Sequence, residues 1–199
     1  FHLEGRKAKR RRVRLAGNSL PEEKKLSLHF DAQGHGTHVA GIAAGYRIHG
    51  QENYHGMAPG AKVISLKIGF NAYPGGATVT ESVKKALDYG VRYAKKHKVP
   101  VVYNMSYGIL AEQDDQSAID DYINDLLWKN PGIVFVTSAG NSGPGVSTIG
   151  TPGTAERAIT VGALLSPEAA PAQYGYDVPR EITFGFSSRG GDCFKPDIL

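Results

Sequence analysis

Cysteine is nearly missing from these 199 residues. Cys193 stands alone, so no disulfide can close within the chain and a disulfide scaffold is excluded. Its neighbours, Asp192 and Phe194, supply neither a cation nor a base, and it reads as a bystander thiol. No apolar run reaches the length of a membrane-spanning helix. The opening Phe1-His2-Leu3-Glu4-Gly5 has no apolar stretch of a secretory leader, and the want of an initiator methionine reads as an internal cut. Residues 1–30 hold no aspartate at all. Internal repeats, low-complexity tracts and linkers are also lacking, and the chain reads as one domain preceded by a flank.

Hydrophobic residues make up 41% of the chain and charged residues 21%, enough for an α/β domain with a real core. The net charge of +4 is unevenly placed. Residues 1–30 hold nine Lys/Arg against three Glu, and the remaining residues carry −2. The excess sits in Arg6-Lys7-Ala8-Lys9-Arg10-Arg11-Arg12-Val13-Arg14, within a basic flanking segment or insertion, 1–30. Three readings stand for that stretch: a solvated flank, a polyanion contact, or a cleavage site for a basic-specific protease. No aromatic residues interleave with the cations as a nucleic-acid stacking platform needs, so a nucleic-acid partner is not expected.

From residue 35 onward, helix-like and strand-like segments alternate. Small and apolar residues, Val39-Ala40-Gly41-Ile42-Ala43-Ala44, predict a helix that packs closely. Ala61–Ile68 reads as a strand. Apolar or small residues at 83, 86, 87, 90, 91 and 94 mark one face of a helix over 78–96. Val99–Asn104 reads as a second strand, 113–129 as a helix with Asp114 and Asp115 near its start, Ile133–Thr137 as a third strand and Ala158–Gly162 as a fourth. Strands apolar on both faces between amphipathic helices predict a mostly parallel central sheet covered by helices on both faces, a three-layer α/β sandwich. Ligands of such sheets bind beyond the carboxyl ends of the strands.

The residues with chemistry lie there. Gly34-His35-Gly36-Thr37-His38-Val39-Ala40-Gly41 sets a histidine between glycines at a helix start, as a general base facing a cleft requires. Asn104-Met105-Ser106-Tyr107-Gly108 follows one strand, and Ser138-Ala139-Gly140-Asn141-Ser142-Gly143-Pro144 follows the next. Either alone reads as an ordinary turn. Together, in this order, and with Gly56-Met57-Ala58-Pro59-Gly60-Ala61, Ile159-Thr160-Val161-Gly162-Ala163, Phe186-Ser187-Ser188-Arg189-Gly190 and Lys195-Pro196-Asp197-Ile198, they resemble the subtilisin-like serine peptidases, the subtilases, over 31–199.

The resemblance implies roles. His35 is the catalytic base and Asn141 the oxyanion donor. Ser106, Tyr107 and Gly108 pair with an extended polypeptide substrate as an added strand, while Ser138, Ala139 and Gly140 line the pocket for the residue before the cut. His38, three residues beyond His35, could pair with it on a metal, but no third ligand is evident and the family uses it as a hydrogen-bonded structural residue. Family members often bind structural calcium, but the acids here form no ligand-spaced loop. No cofactor is needed for the chemistry, and no metal ligand is assigned. The resemblance favours a secreted or cell-envelope setting.

Two parts of a subtilase site do not occur in these residues. Asp31 lies four residues before His35 and lacks the hydroxyl–glycine pair of the family's acidic motif, so it is not assigned as the triad acid. Ser142, Ser147, Ser166, Ser187 and Ser188 fall in other family contexts than the nucleophile's. The 31–199 stretch is therefore read as a partial catalytic domain, inactive alone, whose missing parts carry the Asp and Ser. The alternative is a degenerate homologue that binds peptides without cleaving them.

Overall fold

The computed structural model describes residues 15–31, 33–69, 78–108 and 117–199. The basic stretch 6–14 and the acids Asp114 and Asp115 lie outside them. The chain divides into two compact units, Phe1–Thr78 and Val79–Leu199.

The first unit holds a hairpin, β1 (Ala16–Leu20) against β2 (Lys25–His29), in antiparallel register from Ala16↔His29 to Leu20↔Lys25. Pro21 presets the tight turn between them, and Leu26 and Leu28 alternate with polar residues along β2. Helix α1 follows at His35–Ala44, where the small-residue run predicted it. The strand expected over Ala61–Ile68 is not found. A strand needs a ladder partner, and the only ladder of this unit among the described residues is the hairpin.

In the second unit, β3 (Val101–Met105), β4 (Ile133–Ser138) and β5 (Ile159–Val161) form a parallel sheet in that order. Helix α2 (Thr80–His97) precedes β3, and α3 (Ala118–Lys129) makes the crossover from β3 to β4 that a parallel pair requires. Both helices pack on these strands. Buried side chains share one face of the sheet: Tyr103, Ile133, Phe135, Thr137 and Thr160. Val83 and Leu87 of α2 and Ile123 and Leu126 of α3 complete this core. Each such burial contributes about 1.5–3 kcal/mol before the ordering cost is set against it. The Tyr103 hydroxyl donates to the Leu87 carbonyl, and burial, foremost, pushes its phenol up to about 12.

The opposite face is more exposed. Val102 is 65% exposed, Val134 41% and Ile159 38%, so α2 and α3, which pack on the sheet within this unit, do not bury them. The continuous apolar runs of β3 and β4 mark the strands themselves, which is what they show within this unit. Beyond β5 come the short antiparallel pair β6 (Leu164–Leu165) and β7 (Ile182–Thr183), with α4 (Ala169–Tyr174) between them. Among the described residues no helix is long and apolar enough to cross a membrane.

Candidate functional site

His35 is the first residue of α1, with its side chain toward solvent. The loop that delivers it is organised by Asp31. One carboxylate oxygen accepts the backbone N–H of Gln33 (3.1 Å) and of Gly34 (2.8 Å). The other accepts the Thr37 N–H (3.0 Å) and the Thr37 hydroxyl (2.5 Å). Amides at a helix start have no partner within the helix, and a carboxylate there also faces the positive end of the dipole. The Thr37 hydroxyl first, then the Gly34 N–H, hold the Asp31 carboxyl down at about 2. Both oxygens of Asp31 are thus committed to its own loop. His38, one turn along, is exposed, and no group of three or more metal-binding side chains occurs among the described residues.

In the second unit, β3 and β4 are parallel neighbours, so the segments leaving them emerge at the same edge of the sheet. Ser106, Tyr107 and Gly108 continue past β3, and the Asn104 amide donates to the Ser106 hydroxyl (3.0 Å). Ser138, Ala139, Gly140 and Asn141 continue past β4. Ala139 is buried and its N–H donates to the Val161 carbonyl (2.8 Å). Gly140 turns the chain at φ 107°, where a Cβ would meet the Ser188 Oγ at 2.8 Å. Its carbonyl accepts the Ser188 N–H (3.1 Å), the Ser142 N–H donates to the Ser188 Oγ (3.0 Å), and the Gly143 N–H donates to the Phe186 carbonyl (2.9 Å). Asn141 stands exposed between two residues pinned in this way.

Ser187 is buried as well. Its hydroxyl oxygen accepts the Ala163 N–H (3.0 Å), and its O–H donates to the Ser188 carbonyl (3.3 Å). The two serines of Phe186-Ser187-Ser188-Arg189-Gly190 therefore serve the backbone of the loops around Asn141. Lys195, with Asp197, ties the last residues to β5: its ammonium donates to the Ala158 carbonyl (2.7 Å) and to Asp197 (2.8 Å), whose carboxylate accepts the Thr160 N–H (2.6 Å).

Sequence reasoning missed one cluster. Asp120, in the first turn of α3, is 1% exposed, and its two oxygens accept the hydroxyls of Thr151 and Thr154, each at 2.6 Å. Ser117, which caps α3 by accepting the Ile119 N–H, lies 3.0 Å from the Thr151 hydroxyl. In sequence, Asp120 looks like any acid placed at a helix start to face solvent and dipole. The available signal was the pair of threonines around Pro152-Gly153, but their partner lies 31 and 34 residues away.

Of the residues singled out by sequence, Ser106, Tyr107, Gly108, Ser138, Ala139, Gly140 and Asn141 share the second unit and leave adjacent strands. His35 belongs to the first unit.

Comparisons with known proteins agree on one family. The Subtilase family matches residues 7–199. Tripeptidyl-peptidase 2 of Arabidopsis thaliana is 39% identical over 183 residues, covering 88% of this chain and 12% of that protein. Serine protease AprX of Bacillus subtilis (strain 168) is 34% identical, over 85% of this chain and 38% of that protein. Among solved structures, tripeptidyl peptidase 2 superposes with a TM-score of 0.72 at 29% identity, over 89% of this chain and 14% of that one. The chain thus spans about an eighth of the length of tripeptidyl-peptidase 2, with an α/β fold of the subtilase kind.

Proposed function

Because the chain belongs to the subtilase family, we propose that it is part of a serine peptidase that hydrolyses peptide bonds. The match over 7–199 carries the reading, and the exposed Asn141, set between the pinned Gly140 and Ser142, supports it. His35 takes the proton from the serine hydroxyl and returns it to the leaving amine. Asn141 donates its side-chain amide to the oxyanion of the tetrahedral intermediate. Ser106, Tyr107 and Gly108 offer backbone to an extended substrate, and Ser138, Ala139 and Gly140 leave room for the side chain before the cut. On this reading the triad acid and the nucleophile lie outside these 199 residues. Asp31 is taken up by its loop, and Ser187 and Ser188 hold backbone amides. The three-layer sandwich needs a second helical layer over Val102, Val134 and Ile159. The chemistry needs no cofactor.

The likeness to tripeptidyl-peptidase 2 favours release of tripeptides over internal cleavage. The test is hydrolysis by the full-length parent of one peptide offered with a free and with an acetylated N-terminus, alongside labelling by a fluorophosphonate. Turnover with labelling, lost in His35→Ala, is the expected result. Cleavage of the acetylated peptide would instead show internal cleavage, the action of a serine endopeptidase. A parent that binds the peptide but neither cleaves nor labels is the degenerate homologue.

A further inference from the structure

We propose that Asp120 is a positioning residue, which clasps the 150–154 turn from behind and so holds the two segments that flank the substrate. The proposal rests on the peptidase reading of Ser106–Gly108 and Ser138–Gly140. Both carboxylate oxygens are used, one on the Thr151 hydroxyl and one on the Thr154 hydroxyl, and all three side chains are buried. The turn they hold touches both segments. A Cβ on Gly108 would meet the Thr151 carbonyl at 2.8 Å, and one on Gly153 would meet the Ser138 carbonyl at 3.1 Å. The Gly153 carbonyl in turn accepts the buried Thr160 hydroxyl of β5 (2.6 Å), and the Gly153 N–H closes the turn on the Gly150 carbonyl (2.7 Å).

The turn is therefore wedged between the exits of β3 and β4 and fixed to β5, with Asp120 of α3 as its rear anchor. A buried carboxylate is costly unless its hydrogen bonds are strong and well aimed. That cost is tolerable here because the two bonds fix the spacing of two loops, which an apolar residue of the same size would leave free to slide. Asp120 acts through Thr151 and Thr154, not on the substrate.

The experiment uses the full-length parent with Asp120→Asn, Thr154→Val and, as a control, the exposed neighbour Asp121→Asn. Kinetics are normalised to active sites titrated with a fluorophosphonate. Asp120→Asn and Thr154→Val are expected to raise KM about tenfold per titrated site with kcat changed much less, and the control to behave as wild type. A merely structural Asp120 lowers the number of titratable sites and the Tm while KM per site stays put, and that result overturns the proposal. If the wild-type parent cleaves nothing, the peptidase reading fails by itself. Hydrogen exchange across 148–155 then decides the clasp: faster exchange in Asp120→Ala than in Asp121→Ala supports it, and equal exchange overturns it.

Discussion

At Asp31, four hydrogen bonds converge on one carboxylate next to the residue assigned as base. Its folded pKa lies at about 2, below the ordinary aspartate value, so the charged form is favoured by folding. The stabilisation is therefore fully present above about pH 4 and disappears as pH falls through 2. Acid unfolding of Asp31→Ala should lack that component, and its α1 should begin later, since losing a side-chain acceptor at a helix start costs about 0.5–2 kcal/mol. Urea melts of both proteins between pH 2 and 6 check this; parallel curves would mean that Asp31 does not hold the helix start. Turnover separates the other roles in the full-length parent. Asn141→Ala removes a contact made mainly in the transition state, so kcat should fall about 10²–10³-fold with KM nearly unchanged. His35→Ala should fall further, toward the rate left by binding and the oxyanion hole alone. Ser106→Ala should stay near wild type, because its proposed contact is through the backbone. Equal, mild losses for His35 and Asn141 would remove both assignments.

Elements were legible to the degree that their periodicity was their own. Helix α2 shows its apolar stripe at helical spacing, and Val83, Leu87 and Gly90 are indeed its buried residues. Strands β3, β4 and β5 fall where continuous apolar runs placed them. The 61–68 run has the same composition, but a strand is made by its partner, and composition cannot name one. The β1–β2 hairpin went unread because the charge of its flank masked the alternation of Leu26 and Leu28, and all but two of its residues are exposed. Contact between elements was legible nowhere, and Gly90 makes the point. A Cβ there would run into the Tyr103 hydroxyl and ring, so this glycine sets how closely α2 lies on β3. Helix propensity alone predicts that Gly90→Ala stabilises by about 1 kcal/mol. Overpacking costs about 1–3 kcal/mol and should win, giving a net loss in denaturant melts. Tyr103→Phe in the same background should recover part of it by removing the nearest atom. A stabilised Gly90→Ala single variant would show that α2 is free to move off the sheet.

At the scale of the whole molecule, the family was legible because it is written in short segments at strand ends, which are local. The layering is not written locally, because cover is a property of what lies across the sheet. Val102, Val134 and Ile159 form the apolar half of an alternation whose other half, Tyr103, Phe135 and Thr160, is buried. Among the described residues β3 has a strand partner on one side only, whereas the outer side of β5 is met by Ile198 in a parallel bridge to Val161. Exposed apolar surface beside unpaired strand edges drives association between copies. The 199-residue chain produced by itself should therefore self-associate and bind a hydrophobic dye, and it should hydrolyse no peptide for want of a nucleophile. Val102→Thr with Val134→Thr keeps the β-branched shape and the strand preference while replacing a methyl by a hydroxyl on the bare face. That pair should lower dye binding and light scattering while leaving the helical circular dichroism unchanged, since the buried face and both helices are untouched. In the complete parent, where the face is expected to be covered, the same pair should instead destabilise by burying hydroxyls in an apolar layer. The opposite sign in the two contexts is the test. Equal effects would mean that nothing covers this face in the parent, and the three-layer reading would fall with it.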